Sequence, residues 1–225
     1  EDDEIKKEEF EYEELSYLFK FEEKEYQNIF KFAYLTGMRR GGILNLKADD
    51  IENIENHNII DIKEGKTSSS IRLIPTNRDI DIIIQEQKKK SKNGYIFFDE
   101  DIVERSENAI GKRLNRRIDK YLTEIKKDKS IKSFHSFRKN FTQTLYLERF
   151  NIKEQTISKL LGHSVNENIT RSVYNKNKVE RNTLIYAMSC ITLENVEIFK
   201  NENLFMKQKE KTIEEIKKIT HISLI

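Results

Sequence analysis

Several residues in the second half of this chain carry side chains suited to phosphate chemistry. Ser133-Phe134-His135-Ser136-Phe137-Arg138 is followed by Leu161-Gly162-His163 and then by Tyr174. Arginine grips phosphate oxygens through a planar fork and keeps its charge at any working pH. Histidine donates or accepts a proton near neutrality. A tyrosine oxygen becomes a covalent nucleophile when nearby positive charge offsets its pKa of about 10. The chemistry these three types would perform together is phosphoryl transfer through a protein–phosphotyrosine intermediate.

Such residues act only if something holds them. Phe134, Phe137, Phe141 and Leu145 recur at three- and four-residue steps, which predicts a helix with a buried stripe. His135 and Arg138, three apart, would share one face of it. Asn151 with Glu154 reads as a capping box opening the next helix. Gly162 after Leu160-Leu161 reads as the residue that ends that helix with φ > 0. His163 would then stand just past a helix end, held in place.

The chain has 225 residues, 36% of them hydrophobic and 36% charged. That length implies one sizeable domain, alone or with an appendage. Mean hydropathy is −0.74, and no apolar run approaches the roughly 18 residues of a membrane span. A basic-then-apolar leader is missing, so secretion is not expected. Cys190 stands alone, which offers neither a disulfide framework nor a cysteine metal cluster. These features fit a cytoplasmic protein without membrane contact. A chain opening on Glu1 rather than Met is expected to belong to a longer protein.

The net charge of +2 hides an asymmetry, with −7 in residues 1–31 and +9 in the remainder. A balance of that kind can hold nucleic acid by counterion release, or it can simply solvate the surface. Residues 1–20 read as an acidic, weakly docked lead-in with a short helix through Tyr12, Leu15, Leu18 and Phe19, the end of an interdomain linker. Tyr26, Ile29, Phe30, Ala33 and Tyr34 predict a core helix that ends at Gly37. Arg39 and Arg40 follow at a glycine-marked junction, an anion-binding candidate or plain surface charge.

From residue 50 the period changes. Ile51–Ile54, Ile59–Lys63 and Ile71–Pro75 are short β-rich runs, predicting a three-stranded antiparallel meander. Lys66 falls in its second turn. Thr76 or Asn77 would cap a helix bearing Ile80, Ile83 and Ile84. A helix from about Val103 to Ile125 would turn Lys112, Arg113, Arg116 and Arg117 outward, a face for a DNA backbone or for water. After Cys190 the chain alternates apolar and charged residues, a tail over 191–225 that either docks on a neighbouring molecule or completes its own fold.

With Arg39, Lys66, His135-x-x-Arg138, Leu161-Gly162-His163 and Tyr174 in this order, the chain resembles the catalytic domain of a tyrosine recombinase of the phage integrase family. The resemblance covers roughly residues 20 to 190, and the catalytic domain would span 21–190. Thr36-Gly37-Met38-Arg39-Arg40-Gly41 resembles the family's first arginine motif. Lys66-Thr67 with Ile71-Arg72-Leu73-Ile74-Pro75 resembles its hairpin lysine and the following strand, and Thr170 to Tyr174 its nucleophile segment. The implied fold is mainly α with a small three-stranded antiparallel β-sheet. The implied site is Arg39, Lys66, His135, Arg138, His163 and Tyr174, with no cofactor and no metal. Arg39 and Arg138 would clamp the phosphate and Tyr174 would attack it. Lys66 would protonate the leaving oxygen, with Lys63 a nearby competitor for that role. The implied partners are double-stranded DNA and further copies of the chain, a tetramer on DNA with the C-terminal tail exchanged.

Two positions depart from the family pattern. Gly42 stands where an acidic residue is common, and Lys176 where histidine often follows the nucleophile. A type IB topoisomerase shares much of this chemistry but typically carries lysine at the place of His135. A catalytically weakened DNA-binding relative is the other alternative. The family's separate N-terminal DNA-binding domain is not in this sequence, so weak DNA binding is expected of the chain by itself.

Overall fold

The computed structural model of the protein describes residues 7–20, 22–63, 71–99, 107–124, 131–163 and 177–196. Their order is α1 (Tyr12–Lys20), α2 (Lys24–Thr36), α3 (Arg40–Leu44), β1 (Ile51–Ile54), β2 (His57–Ile62), β3 (Arg72–Pro75), α4 (Arg78–Lys88), α5 (Glu107–Glu124), α6 (Ser136–Leu145), α7 (Glu154–Leu161) and α8 (Lys178–Ser189). Helix α2 lies at the centre, packed against α1, α3, α4 and α6. Its predicted stripe is buried, and so are Phe32, Leu35 and Thr36 on its other sides, as an enclosed helix requires. Around it gather the rings of Phe10, Phe19, Phe30, Phe134 and Phe137, with centroids 4.7–6.3 Å apart. Each such side chain contributes about 1.5–3 kcal/mol by leaving water. That cluster fixes α6 against α2.

The sheet is the predicted meander in the order β1-β2-β3. Ile51 pairs with Ile60, and Ile60 with Ile74 across the next ladder. The first turn is Glu55-Asn56, both at positive φ (48° and 67°), the geometry that matches a two-residue hairpin to strand twist. Strand β2 begins at His57, two residues ahead of the run Ile59–Lys63 read from the sequence. Strand β3 is covered by α7 and α8 and is buried at all four positions. Among the described residues no helix is long and apolar enough to cross a membrane.

The lead-in differs from expectation over residues 7–20. Phe10, Leu15, Leu18 and Phe19 are core residues. Phe10 N donates to Asn140 Oδ1 (2.9 Å) and Asn140 Nδ2 returns a bond to Phe10 O (2.7 Å). Glu14, 1% exposed, pairs with Lys132 Nζ at 2.6 Å. The acidic segment docks because its one inward carboxylate meets a lysine, which net charge does not reveal. At the other end, residues 191–196 complete their own fold: Ile191 and Val196 are buried, and Leu193 N donates to Asp79 Oδ2 (2.8 Å).

Candidate active site

Helix α2 ends as predicted at Gly37, in the left-handed region (φ 58°). A Cβ there would come within 2.5 Å of Phe141 on α6, so glycine is required twice over. The chain then runs through Met38 to Arg39, which stands in extended conformation just ahead of α3. Arg40 turns the other way and lies against Gly111 of α5.

Arg138 sits in the first turn of α6 and is 5% exposed. Its Nη1 donates to Gly37 O (2.6 Å) and its Nη2 to Leu161 O (2.5 Å); Nη2 also lies 3.2 Å from His163 Nε2. The fork thus ties the turn before Arg39 to the end of α7. His135 occupies the N-cap position of α6 rather than its body, open to solvent on one side and covered on the other. The capping-box expectation for α7 fails. Lys153 is the N-cap, with no side-chain cap bond. Asn151 instead ends a 3-10 turn over Glu148–Phe150 with φ 48°. The other end of α7 matches: Gly162 is left-handed (φ 65°) and His163 follows immediately.

Every charge that perturbs these groups is positive. Burial, reinforced by Arg39, pushes the Arg138 guanidinium down to about 10. Burial together with Arg138, Lys139 and Arg39 holds His135 below its ordinary value. Burial together with Arg138, Arg39 and Arg72 does the same to His163. Both imidazoles are therefore neutral at pH 7, able to share protons with an anion, beside guanidinium groups that remain charged. The structure brings Arg39, Arg138, His135 and His163 into one field. Lys66 and Tyr174 lie outside the described residues.

Sequence reasoning passed over Arg72. It is 5% exposed on β3, its Nε donates to Leu160 O at 2.7 Å, and burial with Arg138 and Arg39 pushes it down to about 9. The available signal was a charged residue inside the apolar run Ile71 to Pro75, since arginine is almost never fully buried without a specific partner. Lys63 is engaged elsewhere, with Asp49 O at 3.3 Å, Asp50 at 3.5 Å and Glu52 at 3.9 Å. On α5, Lys112 and Arg116 are exposed, but Arg113 lies over Phe98 and Arg117 over Tyr26 while pairing with Glu23 at 2.6 Å. Half of that basic face therefore holds the domain together. At Gly42 a Cβ would meet only Met38 Cε, at 3.5 Å. A carboxylate from α5 does reach the neighbouring position: a Cβ at Gly41 would lie 2.8 Å from Glu107 Oε1. A pocket of about 420 Å³ beside the Glu55-Asn56 turn, lined by Asn58, Asn77 and Asp81 among others, shares no residue with the arginine cluster.

Fold and site converge on one class. The sequence profile of the phage integrase family matches residues 8–181, and the chain belongs to that family, the tyrosine recombinases. The fold is that of their catalytic domain. XerA recombinase superposes with a TM-score of 0.51 at 16% identity, covering 88% of this chain and 64% of that one. XerH recombinase in a post-cleavage complex with a palindromic difH substrate gives 0.53 at 18% identity, covering 86% and 52%. Telomerase-associated protein of 50 kDa from Tetrahymena thermophila is 28% identical over 131 residues, 58% of this chain and 29% of that protein. The chain thus spans less than two thirds of each of these proteins.

Proposed function

We propose that this chain is the strand-transfer portion of a site-specific DNA recombinase. The observation that carries the reading is the convergence of Arg138, Arg39, His135 and His163, from three separate stretches of sequence, into one cationic field. A phosphodiester in duplex DNA is the substrate. The Tyr174 oxygen attacks phosphorus, a 3′-phosphotyrosine bond forms, and the bond to the 5′-oxygen breaks. Lys66 supplies the proton that the leaving 5′-oxygen takes up. A 5′-hydroxyl from another strand then attacks the phosphotyrosine, and the phenol is released. Bond energy stays in the covalent link, so the exchange needs no nucleotide hydrolysis.

Arg39 and Arg138 stabilise charge developing on the non-bridging oxygens, each worth roughly 3–4 kcal/mol in a preorganised site. The neutral His135 accepts the tyrosine proton, and His163 hydrogen-bonds the phosphate. Exchange between duplexes takes place in an assembly of several copies on DNA, the residues after 196 passing between them. The test uses a nicked suicide duplex whose cleaved end diffuses away. Wild type traps a covalent protein–DNA adduct and Tyr174→Phe does not. Transfer between two duplexes, rather than relaxation of a supercoiled circle alone, separates recombinase from topoisomerase. If wild type binds duplex but forms no adduct, the chain is a DNA-binding relative and the reading falls.

A further inference from the structure

The last turn of α7 presents carbonyls that the helix itself cannot satisfy. Two are taken by backbone groups folding back over Gly162: Gly162 N donates to Lys159 O (3.1 Å) and His163 N to Ser158 O (3.0 Å). The other two are taken by guanidinium groups, Leu160 O by Arg72 Nε (2.7 Å) and Leu161 O by Arg138 Nη2 (2.5 Å). Two buried cations thus grip adjacent carbonyls at the negative end of one helix dipole. His163 is the next side chain along, 3.2 Å from Arg138.

Arg72 is also placed by the sheet. It pairs with Ile62 at the base of the β2–β3 connection, the stretch of sequence that contains Lys66. Its main chain belongs to that hairpin and its side chain reaches the end of α7. We infer that Arg72 is a positioning residue of the candidate strand-transfer site: by holding Leu160 O it fixes the α7 terminus, and through it both the turn bearing His163 and the carbonyl that shares the Arg138 fork. This rests on the proposed function in one respect, that Arg138 and His163 meet the scissile phosphate.

A buried arginine with only a structural task behaves differently. Its replacement by an apolar side chain leaves Leu160 O unpaired and lowers stability, while the rate on saturating DNA stays that of wild type. A positioning residue costs rate at unchanged binding, since displacing a reacting group by about 1 Å can cost roughly 100-fold. Charge gives a second signature. Arg72 is among the cations that depress His163 but not among those that depress His135.

The experiment compares wild type, Arg72→Met and Arg72→Lys in the full chain. It reads adduct formation on a saturating suicide duplex, non-covalent affinity for an intact duplex, and the NMR titration of the histidine rings. Arg72→Met is expected to slow adduct formation by roughly 100-fold while duplex affinity stays within about threefold. The His163 midpoint moves up and that of His135 does not. Arg72→Lys keeps the charge without the rigid fork, so it restores the His163 midpoint and recovers only part of the rate. An Arg72→Met protein with wild-type adduct kinetics, or with an unmoved His163, overturns the inference. If Arg72→Met does not fold, Arg72→Lys decides: slowed cleavage at unchanged affinity supports the assignment, and full activity removes it. Wild type that forms no adduct refutes the strand-transfer reading instead, and the His163 titration still tests where Arg72 acts.

Discussion

The pair of Lys132 and Glu14 offers the sharpest test of how the helix bearing His135 and Arg138 is held. The two side chains are 5% and 1% exposed, with Nζ and Oε2 2.6 Å apart. Glu14 Oε2 also accepts the Glu11 amide at 2.8 Å. Removing one partner leaves the other charge buried, which costs about 3–5 kcal/mol, whereas replacing both by apolar groups is close to neutral. Lys132→Met should therefore destabilise the fold by about 3–5 kcal/mol, lowering the melting temperature by roughly 6–20 °C for a domain of this size.

Glu14→Leu should cost less, because Lys132 has a second carboxylate, Glu11 Oε1, already at 4.0 Å. The double variant Glu14→Leu/Lys132→Met should return to within about 1 kcal/mol of wild type. Urea unfolding of the four proteins measures the cycle. Lys132 lies three residues ahead of His135, in the segment where Glu8 N also meets Ile131 O (2.6 Å). The single variants should accordingly lose adduct formation in step with stability, and the double variant should regain both. Additive effects, or a Lys132→Met protein within about 1 kcal/mol of wild type, would refute the clasp.

Three shorter predictions accompany it. Gly37→Ala, forced into the left-handed region and against Phe141 at 2.5 Å, should cost more than about 2 kcal/mol by denaturant unfolding. Gly42→Ala meets nothing closer than Met38 Cε at 3.5 Å in helical backbone, and should gain about 0.5–1 kcal/mol in the same assay. Duplex affinity should rise as pH falls from about 8 toward 6. A bound phosphate raises the depressed His135 and His163 toward or above their ordinary value, so the complex takes up protons that the free protein does not hold. Electrophoretic titrations across that range, with His135→Gln/His163→Gln losing the slope, check it.

The elements were legible where a single segment's own pattern decided them. The stripe of α2, the glycines at 37 and 162, the Asn77 cap on Ile80 N (3.0 Å) and the three strands all follow from local periodicity and turn chemistry. The misreadings concern what other segments, adjacent or distant, do with a residue. Asn151 and Glu154 have capping-box spacing, but a 3-10 turn consumed Asn151 before the helix began. Net charge does not reveal the docking of the lead-in, which depends on Asn140 and Lys132, more than a hundred residues on. Arg113 and Arg117 share a helix face with Lys112 and Arg116, yet aromatic rings from other segments claim them.

Arg72 shows most clearly what spacing leaves out. A cation is expensive to bury, and one whose neighbours include Arg39 and Arg138 is more so; its shift to about 9 expresses that cost. Among the described residues no carboxylate pairs with Arg138, whose fork is satisfied by main-chain carbonyls of Gly37 and Leu161. A carboxylate there would neutralise the charge as well as satisfy the hydrogen bonds. Carbonyl dipoles orient the fork and leave its charge largely uncompensated. Such an arrangement is costly in the empty protein and becomes favourable when an anion arrives, because preorganised donors need no rearrangement at the moment of reaction. The order of motifs along the chain identifies the family. The proposed action of this site on a phosphate would depend on which backbone oxygens the two buried arginines hold, and that is decided by packing.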